Sequence, residues 1–385
     1  MKKVMRAALF CSLSVVAFAT ADLEERVSAL ESQADLLEMS SRLSIGGYGE
    51  MHVRSEQDGG DDYMDIHRAV VYLGYQFNDW IRLTTETELE HAQAGGSSAG
   101  YLLLEQFSVD LQLTDTFGVR LGRTLAPLGI VGLRHEPPLF FGVERPDLEK
   151  YILPSTWSID GVGIFGDLTD NISYELYAVG GLDASDFTDS TGIRGGRESS
   201  YAGAESLSYA GRLDYFGVEG LRAGAGFYQG PTDHGSKGMD HANQGNEVSI
   251  FSADFEYEVG ELTLNGVWAS GAQSDVDVLP SGVGDAFGGY YLTAGYQVWS
   301  GAADTKWSEA ALMPFVRFST FDTQEGEISG GAADTDAHER EQLTLGLHML
   351  LTEQVVLKLD YMSEERADGT EKNDVVNLGF GFILQ

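Results

Sequence analysis

The sequence predicts an all-β protein, a 16-stranded antiparallel transmembrane β-barrel with a short N-terminal coiled-coil helix. Three observations carry this reading. From residue 43 to the end, polar and apolar residues alternate with a period of two, in sixteen runs. The connections alternate between short and long, the pattern of a barrel with tight periplasmic turns and long external loops. No stretch beyond the leader has the roughly 18 uninterrupted apolar residues of a membrane helix, so crossing a bilayer requires a closed barrel.

In chain order, Met1–Ala21 reads as a signal peptide. Lys2, Lys3 and Arg6 lead, Ala7–Phe18 is apolar, and Ala19-Thr20-Ala21 is a cleavage site. It holds the only cysteine, Cys11, so no thiol chemistry is expected of the mature chain. Residues 22–42 place Leu23, Val27, Leu30, Ala34 and Leu37 at steps of four and three, a heptad seam. So short a seam is marginal alone; it is expected to be a periplasmic coiled-coil segment that trimerises the chain, or an amphipathic spacer.

Residues 43–385 are then one domain, a porin-like barrel without composition shift or solenoid repeat. The runs fall at 43–55, 63–77, 80–91, 100–113, 117–124, 157–167, 172–181, 205–216, 220–229, 246–259, 261–271, 287–299, 309–321, 339–351, 353–365 and 373–384. The short turns, such as Asn78-Asp79, share a side with the N-terminus, which puts both chain ends in the periplasm.

Parity assigns the faces. In 353–365, Val355, Leu357, Leu359 and Tyr361 oppose Lys358 and Asp360; in 246–259, Phe251, Phe255 and Tyr257 oppose Asp254 and Glu256. Charges at mid-strand fit a polar lumen better than the core of a soluble sandwich. The expected lumen wall is Glu50, His52, Arg54, Arg68, Arg82, Glu86, Glu88, Glu90, Arg120, Arg212, Asp214, Arg222, Asp254, Glu256, Arg317 and Lys358. Charges in a narrow low-dielectric channel set its ion selectivity. Glu105 falls on the apolar side, between Leu103 and Phe107, and asks for a bulge or a subunit contact. Tyr75, Phe77, Trp80, Phe117, Trp157, Tyr215, Phe216, Trp299 and Trp307 suit interfacial girdles.

One connection dominates the chain. Pro127 ends the strand that began at Phe117, since proline donates no ladder hydrogen bond. Residues 125–156 then run without a period, rich in Pro, Arg, His and Glu. Long irregular inserts in compact domains are usually functional. This one is expected to fold into the barrel and narrow the pore, with Arg134, His135, Glu136, Glu144, Arg145, Glu149 and Lys150 at the constriction. An ordinary surface loop is the alternative. The arginine fork suits carboxylate or phosphate solutes.

The formal charge is −36 and bases are scarce, which argues against nucleic acid or an anionic surface as a partner held by bulk charge. No cofactor or metal is expected. His135-Glu136 lacks a second histidine at helical spacing, and Asp58–Asp62 lacks the full calcium-loop pattern. No nucleophile elbow or phosphate loop stands out, so no enzyme is expected. The expected function is an outer-membrane porin passing small hydrophilic, charged solutes by diffusion. A structural or adhesive barrel tethered through its coiled coil is the alternative. Expected partners are a homotrimer, outer-membrane lipid and lipopolysaccharide, and small solutes.

One set of motifs runs through the chain: Ile45-Gly46-Gly47-Tyr48-Gly49-Glu50, His67-Arg68, Glu86-Thr87-Glu88-Leu89-Glu90-His91, Leu104-Glu105-Gln106-Phe107, Arg120-Leu121-Gly122-Arg123, Pro127-Leu128-Gly129, His135-Glu136-Pro137-Pro138, Glu144-Arg145 and Glu149-Lys150-Tyr151. On these residues the chain resembles the phosphate-selective porin O and P type of outer-membrane channel. The resemblance covers the first half of the barrel by residue and the second half by pattern. It implies a trimer of 16-stranded barrels, each with a constriction loop in its lumen. The chain departs from the family in lacking a dense Arg and Lys ladder, and in ending Phe382-Ile383-Leu384-Gln385 rather than on an aromatic. The acidic total points to cations and the family to anions.

Overall fold

The structure is a computed structural model that describes residues 26, 41–57, 59–95, 100–197, 207–232, 245–331, 336–369 and 372–384. The signal peptide and, apart from Arg26, Ser41 and Arg42, the expected coiled-coil segment lie outside the described residues.

Antiparallel strands form one closed sheet. The wall consists of β1 (Leu43–Glu56), β2 (Tyr63–Asn78), β3 (Ile81–Glu90), β4 (Leu102–Thr114), β5 (Phe117–Leu125), β6 (Ser158–Thr169), β7 (Ile172–Val179), β8 (Ser208–Val218), β9 (Leu221–Pro231), β10 (Glu247–Val259), β11 (Leu262–Gln273), β12 (Gly284–Tyr296), β14 (Ala311–Ile328), β15 (Glu339–Thr352), β16 (Val355–Arg366) and β17 (Lys372–Leu384). The two-residue β13 (Trp299–Ser300) only caps the end of β14, while β12 pairs directly with β14, so the barrel is 16-stranded. β1 pairs with β17 from Gly47↔Leu384 to Glu56↔Val375 and closes the ring. Closure leaves no unpaired edge, the condition for a sheet in lipid.

Leu345, Leu359 and Phe380 are 49%, 44% and 43% exposed on the outside, whereas Lys358 and Asp360 are each 4% exposed on the inside. An apolar exterior around a polar interior inverts the plan of a soluble protein. Phe77, Trp80, Tyr215, Phe216, Trp299 and Trp307 are exposed at the short-turn end. Trp157 is a correction to the girdle. It is buried, its ring 4.4 Å from that of Tyr228, because the segment entering β6 runs inside the barrel.

Glu105 lies at a bulge. The β3–β4 ladder passes from Glu86↔Gln106 to Thr87↔Leu104 and skips it. The extra residue re-aims the side chain, and Glu105 points inward, fully buried. β14 runs to Ile328, beyond the expected end at Phe321. Its last residues break the alternation because Asp322, Thr323 and Gln324 are all buried, with Thr323 and Gln324 bonded to carbonyls of Thr188 and Asp189.

Two connections fold into the barrel. One is 126–157. The other, 182–197, reads in the sequence as part of a long loop. Together with wall residues of β6–β12 and β14 they build an apolar core, with Leu128, Ile130, Leu148, Ile152 and Leu182 against Tyr228, Ile250, Phe287 and Tyr291. One side of the lumen is therefore filled by this core.

Candidate functional site

The inward segment is tied together by one carboxylate. The short helix Asp147–Tyr151 carries Glu149, which is fully buried. Its Oε2 accepts the N–H groups of Ile130 (2.8 Å), Val131 (2.7 Å) and Gly132 (3.4 Å), and its Oε1 accepts the Tyr291 hydroxyl of β12 (2.7 Å). Burial pushes the Glu149 carboxyl above its usual range, and these hydrogen bonds oppose that shift. Gly129 makes the bend, with φ +68°, where a Cβ would strike the Glu149 carboxylate.

The segment then touches the wall all around. Arg212 of β8 donates to Gly129 O at 3.1 Å, Arg317 of β14 to Phe141 O at 2.5 Å, and Gln342 of β15 to Asp147 at 2.6 Å. Asp360 of β16 accepts Val143 N–H at 2.6 Å. His52 of β1 meets Glu144 at 3.0 Å, His135 meets Glu86 of β3 at 3.2 Å, and Arg134 pairs with Glu256 of β10. Strand glycines leave room for it: a Cβ at Gly226, Gly295, Gly379 or Gly381 would meet Pro127, Phe141, Val143 or Pro137. Glycine inside a strand marks such close approach.

The wall charges form two networks. Arg68 reaches Glu50 (2.6 Å), Glu88 (3.1 Å) and Glu90 (3.7 Å). Opposite, Arg212 bonds Asp214 at 2.9 Å and Asp254 at 2.7 Å, and Arg222 joins Asp214 and Glu256 at 2.9 and 3.0 Å. Arg120 is bidentate to Asp110, Arg54 pairs with Glu56 at 2.5 Å, and Lys358 lies 3.6 Å from the Phe140 ring centre. Arg82 is exposed near the short-turn end, level with Gln76 and Asp110.

Arg212→Leu is therefore expected to destabilise the barrel by about 3 kcal/mol, the low end of the cost of breaking a buried ion pair. The Asp254 side chain, fully shielded from solvent, then keeps only the longer contact to Arg222 at 3.8 Å. Urea unfolding of protein folded into vesicles measures it.

Between the segment and the wall from β14 to β17 and β1 lies a cavity of about 140 Å³. Its lining includes five cations, Arg54, Arg145, Lys150, Arg317 and Arg340, and four carboxylates, Glu144, Asp147, Asp360 and Glu364. The two sets differ in how they are satisfied. Glu144 faces His52, Asp147 and Glu364 take the two Gln342 bonds, and Asp360 accepts Val143 N–H and the Asn377 amide. Arg317 and Arg340 instead spend their bonds on carbonyl and hydroxyl oxygens or aromatic faces, Arg145 makes, among the described residues, only contacts of 3.5 Å to neutral oxygens, and Lys150 lies over the Tyr151 ring. A second, wider polar space of about 590 Å³ opens beside Arg120, Glu175 and Asp214.

The expected constriction residues thus separate. Glu144, Arg145 and Lys150 line the cavity, while Arg134, His135, Glu136 and Glu149 hold the segment to itself or to the wall, Glu136 through Tyr72 at 3.2 Å. Arg340, Gln342, Asp360 and Tyr291 are additional. The parity that places Lys358 inward also places Asp360 there and, counted along β15, Gln342 and Arg340; Tyr291 sits in a run whose nearest inward neighbours, Gly289 and Thr293, are small.

Burial pushes the Glu144 carboxyl up, but the hydrogen bond and charge of His52 outweigh it and hold it well below its usual 4.5. A depressed carboxyl stabilises docking above its undocked value and loses that contribution as pH falls through its docked value. Docking at β1 is expected to be unchanged from pH 7 to 5 and to weaken only in acid below about 4. Current noise recorded against pH tests this; noise that rises already near pH 6 contradicts it.

The fold is that of solved 16-stranded outer-membrane barrels. It aligns with Salmonella typhi OmpF at 13% identity over 89% of this chain and 97% of that one, TM-score 0.60. Vibrio cholerae OmpT lacking loop L8 aligns at 13% identity over 89% and 98%, TM-score 0.57, and the channel DcaP of Acinetobacter baumannii at 11% over 89% and 96%, TM-score 0.56. At these identities the likeness concerns the fold alone. No protein-family model matches the chain. In sequence it is 32% identical over 351 residues to an uncharacterized protein of Aquifex aeolicus, covering 86% of this chain and 78% of the relative. The chain belongs to the family of that protein.

Proposed function

We propose that this chain is an outer-membrane porin of a Gram-negative envelope that passes small hydrophilic anions by passive diffusion. The observation that carries the reading is the cavity lining, where the carboxylates are satisfied by the protein while Arg145, Arg317 and Arg340 have no carboxylate partner among the described residues. A guanidinium that bonds only neutral oxygens keeps its charge available to a carboxylate or phosphate solute. The acidic total does not oppose this, because much of that charge lies in the loops or in the two closed networks.

In this reading 126–157 is the constriction, Glu144, Arg145 and Lys150 are its pore face, and the wall networks brace the barrel. Residues 1–21 export the chain and 22–42 form a stalk. Homotrimer assembly is part of the proposal; one of the Vibrio cholerae OmpT structures with this fold is a trimer form. Purified protein in planar bilayers is expected to give stepwise conductance and to let small anionic solutes swell loaded liposomes. A barrel that inserts and stays silent would overturn the proposal and favour a tethering role.

A further inference from the structure

The bulge at Glu105 assembles a site the channel reading does not use. Glu86, Glu105 and His135 are 1%, 0% and 2% exposed. His135 Nε2 lies 3.2 Å from Glu86 Oε1 and 3.9 Å from Glu105 Oε2, and one ligand atom from each residue falls within 4.8 Å of the others. Both carboxylate oxygens of Glu105 lack a hydrogen-bond partner among the described residues. A buried carboxylate in that state is costly, yet the strand is bulged to put it there. We propose that Glu86, Glu105 and His135 bind a divalent transition-metal ion that fastens the inward segment to the β3–β4 wall.

The donor set fits. Two carboxylates and one imidazole suit Zn²⁺, Mn²⁺ or Fe²⁺, and a divalent ion cancels both carboxylate charges beside a neutral imidazole. Ligand atoms on one tetrahedral zinc stand about 3.3 Å apart, close to the Glu86–His135 separation. Gln106 donates to Glu86 Oε2 at 2.5 Å and orients that carboxylate from behind, as outer-shell partners do. A proton shared between the two glutamates is the competing arrangement. It occupies one Glu105 oxygen, leaves the other bare, and keeps a net negative charge in the dry site. The other His and carboxylate clusters, His52–His67–Glu144 and Asp65–His67–His91, share His67 and are less buried. Their carboxylates are already met by histidines: Asp65 contacts His67 and His91 at 3.0 and 2.7 Å, and Glu144 contacts His52 at 3.0 Å.

The test uses the full chain carrying His67→Gln, which removes both of those clusters. It is folded in detergent with Zn²⁺, dialysed into metal-free buffer and assayed for metal. About one zinc per chain is expected to remain, with affinity falling by at least the roughly 10–100-fold that outer-shell changes cost on adding Glu105→Gln or His135→Gln. Heat-modifiable migration on a gel reports that each variant has folded. Absence of zinc from the folded His67→Gln protein overturns the proposal and leaves the shared proton. Undiminished zinc in the folded Glu105→Gln variant also overturns it. The His67→Gln result decides even if neither further variant folds.

Discussion

Glu149→Ala is expected to release the inward segment. It removes the acceptor of three backbone amides and of the Tyr291 hydroxyl at a site closed to water. Leaving such groups buried and unsatisfied costs roughly 3–5 kcal/mol in all. The barrel wall does not depend on this carboxylate, since its ladder is complete from β1 to β17. Single-channel recordings are therefore expected to show folded protein with larger and noisier current steps. Glu149→Gln, which keeps one acceptor oxygen, falls between. Unchanged steps in the alanine variant would mean that the segment is held elsewhere or does not limit the current.

The second large effect concerns charge. Replacing Arg145, Arg317 and Arg340 together by glutamine leaves the cavity lining with four carboxylates against Arg54 and Lys150, and Arg54 is already paired with Glu56. A unit charge in water acts on a passing ion about 4 Å away with about 1 kcal/mol, roughly fivefold in local concentration for each charge removed. The anion-to-cation permeability ratio is expected to fall by more than tenfold across the three substitutions, enough to reverse the sign of selectivity. Arg317 also supports Phe141 O, so single-step conductance serves as the check that the segment still docks.

Much of the barrel is legible in the sequence, because strand faces follow from a period of two and turn lengths follow from topology. Glu105 shows how far this goes. Its wrong parity asks for a bulge or a subunit contact, and the bulge is there, but its destination against His135 depends on where a segment thirty residues away comes to rest. Parity gives a face and not a depth, so it places Arg82 and Arg68 on the same side although one is exposed and the other sealed under three glutamates. The path of 126–157 is set by glycines on distant strands, Gly226, Gly295, Gly379 and Gly381, each of which reads locally as one more small residue. The inward course of 182–197 depends likewise on β14 and β15, through Thr323, Gln324 and Arg340. Which residues of 134–150 anchor and which line the cavity follows from those contacts, and no spacing in the chain encodes it.

The zero-current potential of the wild-type channel across a KCl gradient tests the central claim most directly. A potential of the sign set by chloride is the predicted result, with the arginines facing the cavity outweighing an acidic chain. A potential of the sign set by potassium would contradict it. The carboxylates of the cavity and of the wall networks would then govern the pore, and the anionic-solute reading would fall.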